Sequence, residues 1–323
     1  MTTKNPWKYA QVDEVDVHSN PYLNPSPKPA DPLPDTSAAG NANASPVTVA
    51  SAADFLVLQG ITCIDANNNV LEHHPELRVR KNIFRDQNNA QVNHTPYDWI
   101  VHCEQNGLFL ASYALTCNIV AGLYKNRNNP DANALLQQYK NHGNGHGYQA
   151  QNTIINYVTE EVIHYPSATD YNQTAAVNAG QRRKTGNFAK ATLQDSLLED
   201  ALKDAAHILY VKQLTGLADP ADLVEIGKYF GKPARLWFPW SGQAGATFNE
   251  KRAAWFGCDG DSLDLGGYGN LNDDGAARGV RGERQRAGAV VSKSKTSSSK
   301  QQPKTGSQSK KKSSIKKTNG RTK

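Results

Sequence analysis

The sequence predicts an α+β protein, in which one mixed globular body of several amphipathic helices and short strands is flanked by two disordered segments. Apolar residues make up 38% of the 323-residue chain, below the ~45–50% usual for globular proteins, and the shortfall lies at the two ends. The middle shows both helix-like and strand-like apolar spacing. We therefore expect a disordered proline-rich arm at 1–51, a globular domain at 52–277 and a disordered basic tail at 278–323.

The N-terminal arm is marked by proline. Six prolines stand between Pro21 and Pro34. Proline at this density removes amide donors and favours an extended polyproline conformation, so we expect a solvated arm. The N-terminus lacks the apolar segment of a secretory signal, and no run approaches ~18 apolar residues. We therefore expect no membrane partner and a cytoplasmic location, with nuclear or nucleoid targeting by the basic tail as an alternative.

The body is expected to begin with strands, which helices follow. Two apolar runs, Phe55–Leu58 and Ile61–Ile64, precede turn residues at 65–69 and predict a strand, a turn and a second strand. The pair Thr95–Pro96 suits the cap and the first position of a helix. The apolar spacing from Trp99 to Leu123 then predicts two helices or one kinked helix.

The second half of the body also mixes strands and helices. Residues 154–165 could form either a strand or a helix, and their β-branched and aromatic side chains favour a strand. A stripe of period 3.6 from Thr192 to Tyr210 predicts the clearest helix, with Asp195 at the capping-box position. Another helix is expected to begin at Asp219–Pro220 and to end at Gly231.

The remainder of the body is predicted as a strand, a short helix and a long loop. Residues 235–240 predict a strand that Pro239 ends. Thr247–Glu250 reads as a capping box that opens a short helix through Trp255. The glycine- and aspartate-rich residues 258–280 predict a loop.

Charge is distributed unevenly along the chain. Residues 278–323 contain 15 Lys and Arg and one acid, a net charge of +14, whereas residues 1–277 contain 21 bases and 29 acids, a net charge of −8. A body that coated nucleic acid by itself should be basic. We therefore expect the tail to bind nucleic acid or another polyanion without reading sequence, because its lysines can neutralise phosphates and release counterions. The lysines expected to do so are Lys293, Lys295, Lys300, Lys304, Lys310, Lys311, Lys312, Lys316 and Lys317.

A basic loop within the acidic body is a further candidate for nucleic-acid contact. Arg182, Arg183 and Lys184 lie between Gly180 and Gly186, and glycines allow a backbone to approach a phosphate closely. Alternatively, these cations pair with the protein's own acids or are solvated.

Aromatic residues near Arg235 also have two interpretations. They either stack on bases or fill the core. The residues are Trp237, Phe238, Trp240, Phe248, Trp255 and Phe256.

No metal site or cofactor is predicted. His142 and His146 have the spacing of a helical zinc pair, but the glycines around them argue against a helix. His102 and Cys103 are adjacent and would point about 100° apart on a helix, unlike a nucleophile and its base. The string from Cys258 to Asp264 resembles the start of a calcium loop but has leucine where a ligand is needed.

The four cysteines are expected to be reduced and buried. They are far apart in sequence and form no CxxC pair, which is typical of small core residues in a reducing compartment. The residues are Cys63, Cys103, Cys117 and Cys258.

The layout of arm, body and basic arm resembles that of many viral and bacterial nucleoproteins. Within the body, Trp99–Cys103 and Lys251–Ala254 resemble segments of flexuous plant-virus coat proteins. That family implies a basic RNA groove in the body, and the charge of −8 argues against one. No site residue is transferred from the resemblance.

The sequence therefore favours a non-enzymatic, nucleic-acid-associated or scaffold protein, whose tail binds polyanions and whose body self-associates. The alternative is an intracellular enzyme or effector with a site around His142 and His146 or around the Arg182 loop.

Overall fold

Two β-sheets enclose a central helix in the computed structural model. The structure describes residues 47–141, 148–174, 182–240, 248–259, 261–267, 269–282 and 285–286. These residues all belong to one compact unit. They form the strands β1 (Thr48–Ser51), β2 (Phe55–Ile64), β3 (Val70–Arg80), β4 (Phe109–Leu110), β5 (Tyr148–Asn156), β6 (Glu161–His164), β7 (Arg183–Asn187), β8 (Ser196–Leu197), β9 (Ala234–Trp237), β10 (Lys251–Asp259), β11 (Ser262–Gly266), β12 (Gly279–Gly282) and β13 (Gln285–Arg286). The helices are α1 (Pro96–Gln105), α2 (Tyr113–Lys125), α3 (Pro130–Lys140), α4 (Leu198–Ala201), α5 (Ala205–Thr215) and α6 (Ala221–Phe230).

Both sheets combine strands from distant parts of the chain. The first has the order β1-β2-β3-β12-β4, with β13 also paired to β3. Its strand β12 comes from the far end of the body and lies between β3 and β4, where Val280 faces Val79 on one side and Phe109 on the other. The second sheet has the order β7-β6-β5-β10-β11-β9-β8, and its β9 and β11 are parallel. Chain segments distant in sequence thus complete both sheets.

Helix α2 is the centre of the main core. Its sequence is apolar on nearly every side, as expected of a helix that is buried all round. Ser112 caps it by accepting a hydrogen bond from the Leu115 amide at 3.1 Å. Cys117, Ile119 and Leu123 are fully buried within a cluster that includes residues of both sheets. A second, smaller cluster is built around Trp99 and Trp255.

The predicted fold class is confirmed, and several elements begin or end where the sequence indicated. Thr95 caps α1 and accepts from the Asp98 amide at 3.2 Å. Helix α6 ends at Gly231, whose φ of 69° suits glycine. All four cysteines are buried, as predicted.

The limits of the body are wider than predicted. Strand β1 lies before residue 52, and β12 and β13 lie after residue 277. Arg278, assigned to the tail from sequence, is 4% exposed. Residues 1–46 and 287–323, including all nine predicted tail lysines, lie outside the described residues.

The prediction of one long helix from Thr192 to Tyr210 is wrong. The segment contains β8, α4 and the first half of α5 instead. Asp204 caps α5 by accepting from the amides of Ala206 and His207, both at 3.0 Å. Asp195 caps no helix and accepts from the Phe238 amide at 2.8 Å. The apolar period continues through these breaks because each piece presents apolar residues to the same core.

The predictions of a helix that reaches Trp255 and of a loop after Cys258 are also wrong. Residues 251–259 form β10, whose Trp255 belongs to the small core cluster and whose Phe256 belongs to the large one. A strand buried on both faces has a continuous apolar run, which periodicity cannot distinguish from a helix. The following glycine-rich segment contributes β11 and β12.

Candidate nucleic-acid interface

The basic segment at 182–184 is already paired with carboxylates of the protein itself. Arg182 donates to both carboxylate oxygens of Asp170, at 2.8 and 3.0 Å. Burial raises the pKa of Asp170, but the hydrogen bonds from Arg182 and Ser167 outweigh it and hold the pKa at about 2. Lys184 donates to Glu161 at 2.6 and 2.8 Å. The structure therefore supports the alternative interpretation for these two cations, as partners of the protein's own acids.

Arg183 points in another direction, toward a buried carboxylate. Its guanidinium carbon lies 6.0 Å from the centre of the Tyr165 ring, and its charge helps to lower the pKa of Glu72. Alternation along β7 explains the difference, because successive side chains of a strand point to opposite faces. Sequence spacing had grouped Arg182, Arg183 and Lys184, and the strand separates the middle residue from the other two.

Glu72 is the centre of a closed polar cluster that the sequence analysis missed. Its carboxylate lies 3.0 Å from Nε2 of His74 and accepts from the hydroxyl groups of Tyr165 at 2.9 Å and Ser112 at 3.2 Å. Burial raises the pKa of Glu72, but His74, Arg183 and Tyr165 lower it to a net value of about 2. The carboxylate is therefore ionised at neutral pH. The sequence of β3 gave no signal for this cluster, because Glu72 is one of four charged residues in the strand.

This cluster joins structural elements and is closed to substrates. Glu72 is 2% exposed, and His74, Ser112 and Tyr165 are no more exposed than that. It links β3 to the first turn of α2 and to the residue after β6. Tyr165 has a φ of 51°, a left-handed conformation that costs a non-glycine residue roughly 1–2 kcal/mol. The hydrogen bonds of its hydroxyl group help to hold it there.

The other candidate catalytic or metal-binding residues are either buried or outside the described part of the chain. His142 and His146 fall outside it. His102 packs against Phe84 and Trp99, and burial is the main cause that lowers its pKa to about 4. Burial raises the pKa of the Cys103 thiol, so it is a poor nucleophile. Among the described residues, no group of His, Cys, Asp or Glu is arranged to hold a metal ion.

The predicted aromatic cluster divides into core and surface. Phe238, Trp240, Trp255 and Phe256 are at most 4% exposed, so the core interpretation is confirmed for them. Phe248 and Trp237 are both half-buried, but only Phe248 packs against the main core.

Trp237 lies in what we call the Trp237 surface, formed by Arg235, Trp237 and Tyr148 around Asp264. Alternation places Arg235 and Trp237 on one face of β9, while Ala234 and Leu236 enter the main core on the other. Arg235 pairs in register with Asp264 on β11, and Gly257 of β10 pairs with both Asp264 and Tyr148. Four neighbouring strands thus bring these residues to one level of the second sheet.

The carboxylate of Asp264 fixes the aromatic rings of this surface. One oxygen accepts from Trp237 Nε1 at 2.7 Å and from the Ser262 hydroxyl group at 2.5 Å, and the other accepts from the hydroxyl group of Tyr148. Asp264 is 5% exposed. The guanidinium carbon of Arg235 lies 4.7 Å from the centre of the Trp237 ring, within the range of a cation–π contact. Asp264 therefore orients the rings of this surface.

The lysines around Cys258 are a separate group, because the Cys258 side chain belongs to the main core, on the face of the sheet opposite Trp237. Lys232 and Lys140 are close enough to Cys258 for their charges to lower its pKa, although burial dominates and raises it to about 12. Within the described part of the chain, no ion pair includes Lys140, Lys232 or Arg235. This end of the second sheet therefore differs from the 182–184 segment, where two of the three cations are paired.

Comparison with known proteins adds no relative. No protein-family model, no curated protein and no solved structure matches the chain. No helix in the described ranges is long and apolar enough to cross a membrane.

Proposed function

We propose that this protein binds nucleic acid or another polyanion through its basic C-terminal tail, without sequence preference, and that its body is a non-enzymatic scaffold that self-associates. The charge distribution carries the proposal. With Arg278, Arg281 and the strand β13 assigned to the body, residues 287–323 contain 11 Lys and Arg and no acid. Residues 1–286 contain 25 bases and 30 acids, so their net charge is −5.

The pairing of Arg182 and Lys184 supports the tail over the basic loop. Both cations already form short hydrogen-bonded ion pairs, which a phosphate would have to replace. The tail has no acid of its own to compete for its lysines. Lysines of a basic segment neutralise phosphates without base contacts, so the expected binding is independent of sequence.

The outer strand β1 supports self-association of the body. It lies at the edge of the first sheet, and its sequence Thr48–Ser51 carries no charge. Natural edge strands that avoid pairing usually carry charges, prolines or bulges. An uncharged edge strand is therefore suited to pair with a second copy of the chain.

Gel filtration of the full-length protein, purified without nuclease, tests both parts. We expect co-eluting nucleic acid, seen as a raised ratio of nucleic-acid to protein absorbance, and an apparent mass above that of a monomer. A clean monomer that binds neither DNA, RNA nor heparin would contradict the proposal.

A further inference from the structure

The Trp237 surface has a rigidity that a packing role alone does not require. Its rings lie on strands rather than loops, and one carboxylate holds both polar ends, Nε1 of Trp237 and the hydroxyl group of Tyr148. Sites built on strands with locked side chains are presented in one orientation. A ligand that stacks on Trp237 would thus meet a ring whose ordering entropy is largely lost already.

The charges around this ring indicate what it stacks on. Arg235 lies against Trp237, and Nε of its guanidinium group is buried without a hydrogen-bond partner among the described residues. Flat aromatic rings beside a cation that forms no ion pair among the described residues suit a ligand that combines planar rings with negative charge, which describes a strand of nucleotides.

We propose that the Trp237 surface stacks unpaired bases, so that the protein prefers single-stranded nucleic acid to duplex. This inference rests on the proposed function, in which the tail supplies most of the electrostatic affinity. Bases within a duplex hide their faces against their neighbours, whereas unpaired bases leave them open to an aromatic side chain. The tail would bind both forms alike, and the sheet would distinguish them.

The test compares binding of one single-stranded DNA oligonucleotide and its duplex by full-length protein, measured by fluorescence anisotropy. We expect Trp237→Leu to weaken single-strand binding about tenfold, within the range for loss of one stacked base, and to change duplex binding less than about twofold. Trp237→Phe keeps a ring and should retain most of the preference. Tyr229→Leu removes an exposed aromatic residue of α6 and should leave it unchanged.

A second approach covers the case in which loss of Trp237 Nε1 unfolds the sheet. Arg235→Gln keeps Trp237, Ser262 and Tyr148 as hydrogen-bond donors to Asp264 and should weaken single-strand binding about threefold by removing one charge and one stacking plane. Ultraviolet crosslinking of unaltered protein to single-stranded DNA should label the peptide that contains Trp237.

The outcomes separate this inference from the proposed function. If duplex binding depends on the tail while Trp237→Leu and Arg235→Gln leave the single-strand preference intact, the surface does not stack bases and the tail proposal stands. If the full-length protein binds neither form, both proposals are wrong. Equal losses for single strand and duplex in a folded Trp237→Leu protein would also contradict base stacking.

Discussion

The hydroxyl group of Tyr165 donates to the carboxylate of Glu72 at 2.9 Å, and both side chains are at most 2% exposed. This bond joins the residue after β6 to the beginning of β3, so it ties one sheet to the other. An ionised carboxylate in such a place depends on every donor around it, because an unsatisfied buried charge is costly.

Tyr165→Phe should therefore destabilise the protein by about 1–3 kcal/mol. The substitution keeps the ring and removes only the donor to Glu72. Tyr229→Phe is the matched control, since Tyr229 is 38% exposed, and should change stability by less than about 0.5 kcal/mol. Urea unfolding monitored by circular dichroism measures both. Equal stability of the two variants would show that the hydrogen bond from Tyr165 to Glu72 contributes nothing to the stability of the fold.

Acid should destabilise the body before carboxylates titrate, because two histidines are buried in their neutral form. Burial is the main cause that lowers the pKa of His102 and of His164 to about 4. In the unfolded chain their pKa is about 6.5, so between these values the unfolded state binds more protons and stability falls as pH falls. Each histidine contributes up to about 1.4 kcal/mol per pH unit in that window.

His102→Phe should reduce the slope of the unfolding free energy against pH by the amount that corresponds to about one bound proton. Phenylalanine can keep the packing against Phe84 and Trp99 and cannot be protonated. The free energy of unfolding at several pH values between about 4 and 7 gives the slope. If wild type and variant have the same slope of unfolding free energy against pH, burial does not hold His102 neutral in the folded protein. Below this window Glu72 continues the trend, because stability from a carboxylate with a lowered pKa is lost as pH falls through about 2.

The C-terminal strands should be necessary for folding, in contrast to the basic tail. Val280 is 1% exposed at the centre of the first sheet, and Arg278 donates to the carbonyl oxygens of Arg80 and Lys81. A fragment of residues 47–286 should unfold with the same midpoint as the full chain. The fragment 52–277 should lose at least about 3 kcal/mol, by analogy with truncation of large buried side chains. Equal unfolding midpoints for the two fragments would show that β12 is dispensable.

Substitution of the paired basic residues should affect nucleic-acid binding little. In the double variant Arg182→Gln and Lys184→Gln, we expect binding to change less than about threefold, because these cations are already neutralised by Asp170 and Glu161. The loss of two partly exposed ion pairs should cost about 0–1 kcal/mol each in stability. Binding titrations with the double variant and with a tail variant lacking two lysines, Lys311→Gln and Lys312→Gln, provide the comparison. A larger loss in the loop variant would make the loop the anion site.

Local patterns predicted those parts of the fold that local chemistry decides. Thr95–Pro96 and Gly231 fix helix ends through capping geometry, which needs no knowledge of the rest of the chain. The apolar stripe from Thr192 to Tyr210 led to a wrong prediction of one helix, because several short elements that face one core carry the same apolar spacing. Residues 251–259 misled because a strand buried on both faces has no alternation.

The candidate sites show a similar limit. Trp237 was named from sequence, together with the nearby Arg235, as a possible base-stacking residue, and the i, i+2 spacing of the two residues in β9 places them on one face. Asp264, Tyr148 and the register that brings them to Trp237 depend on pairings between distant strands. The partners of Arg182 and Lys184 likewise come from other elements, so their pairing could not be read from the basic loop alone.

The salt dependence of duplex DNA binding tests most directly whether the tail supplies the affinity. If about half of the eleven tail cations contact phosphates, the slope of log K against log salt should be on the order of −5 for the full-length protein. A protein that ends at residue 287, with an unchanged circular dichroism spectrum, should bind duplex weakly and with a slope between about −1 and 0. A tail-deleted protein that binds as tightly as the full chain and keeps its slope would place the polyanion site on the body and contradict the proposal.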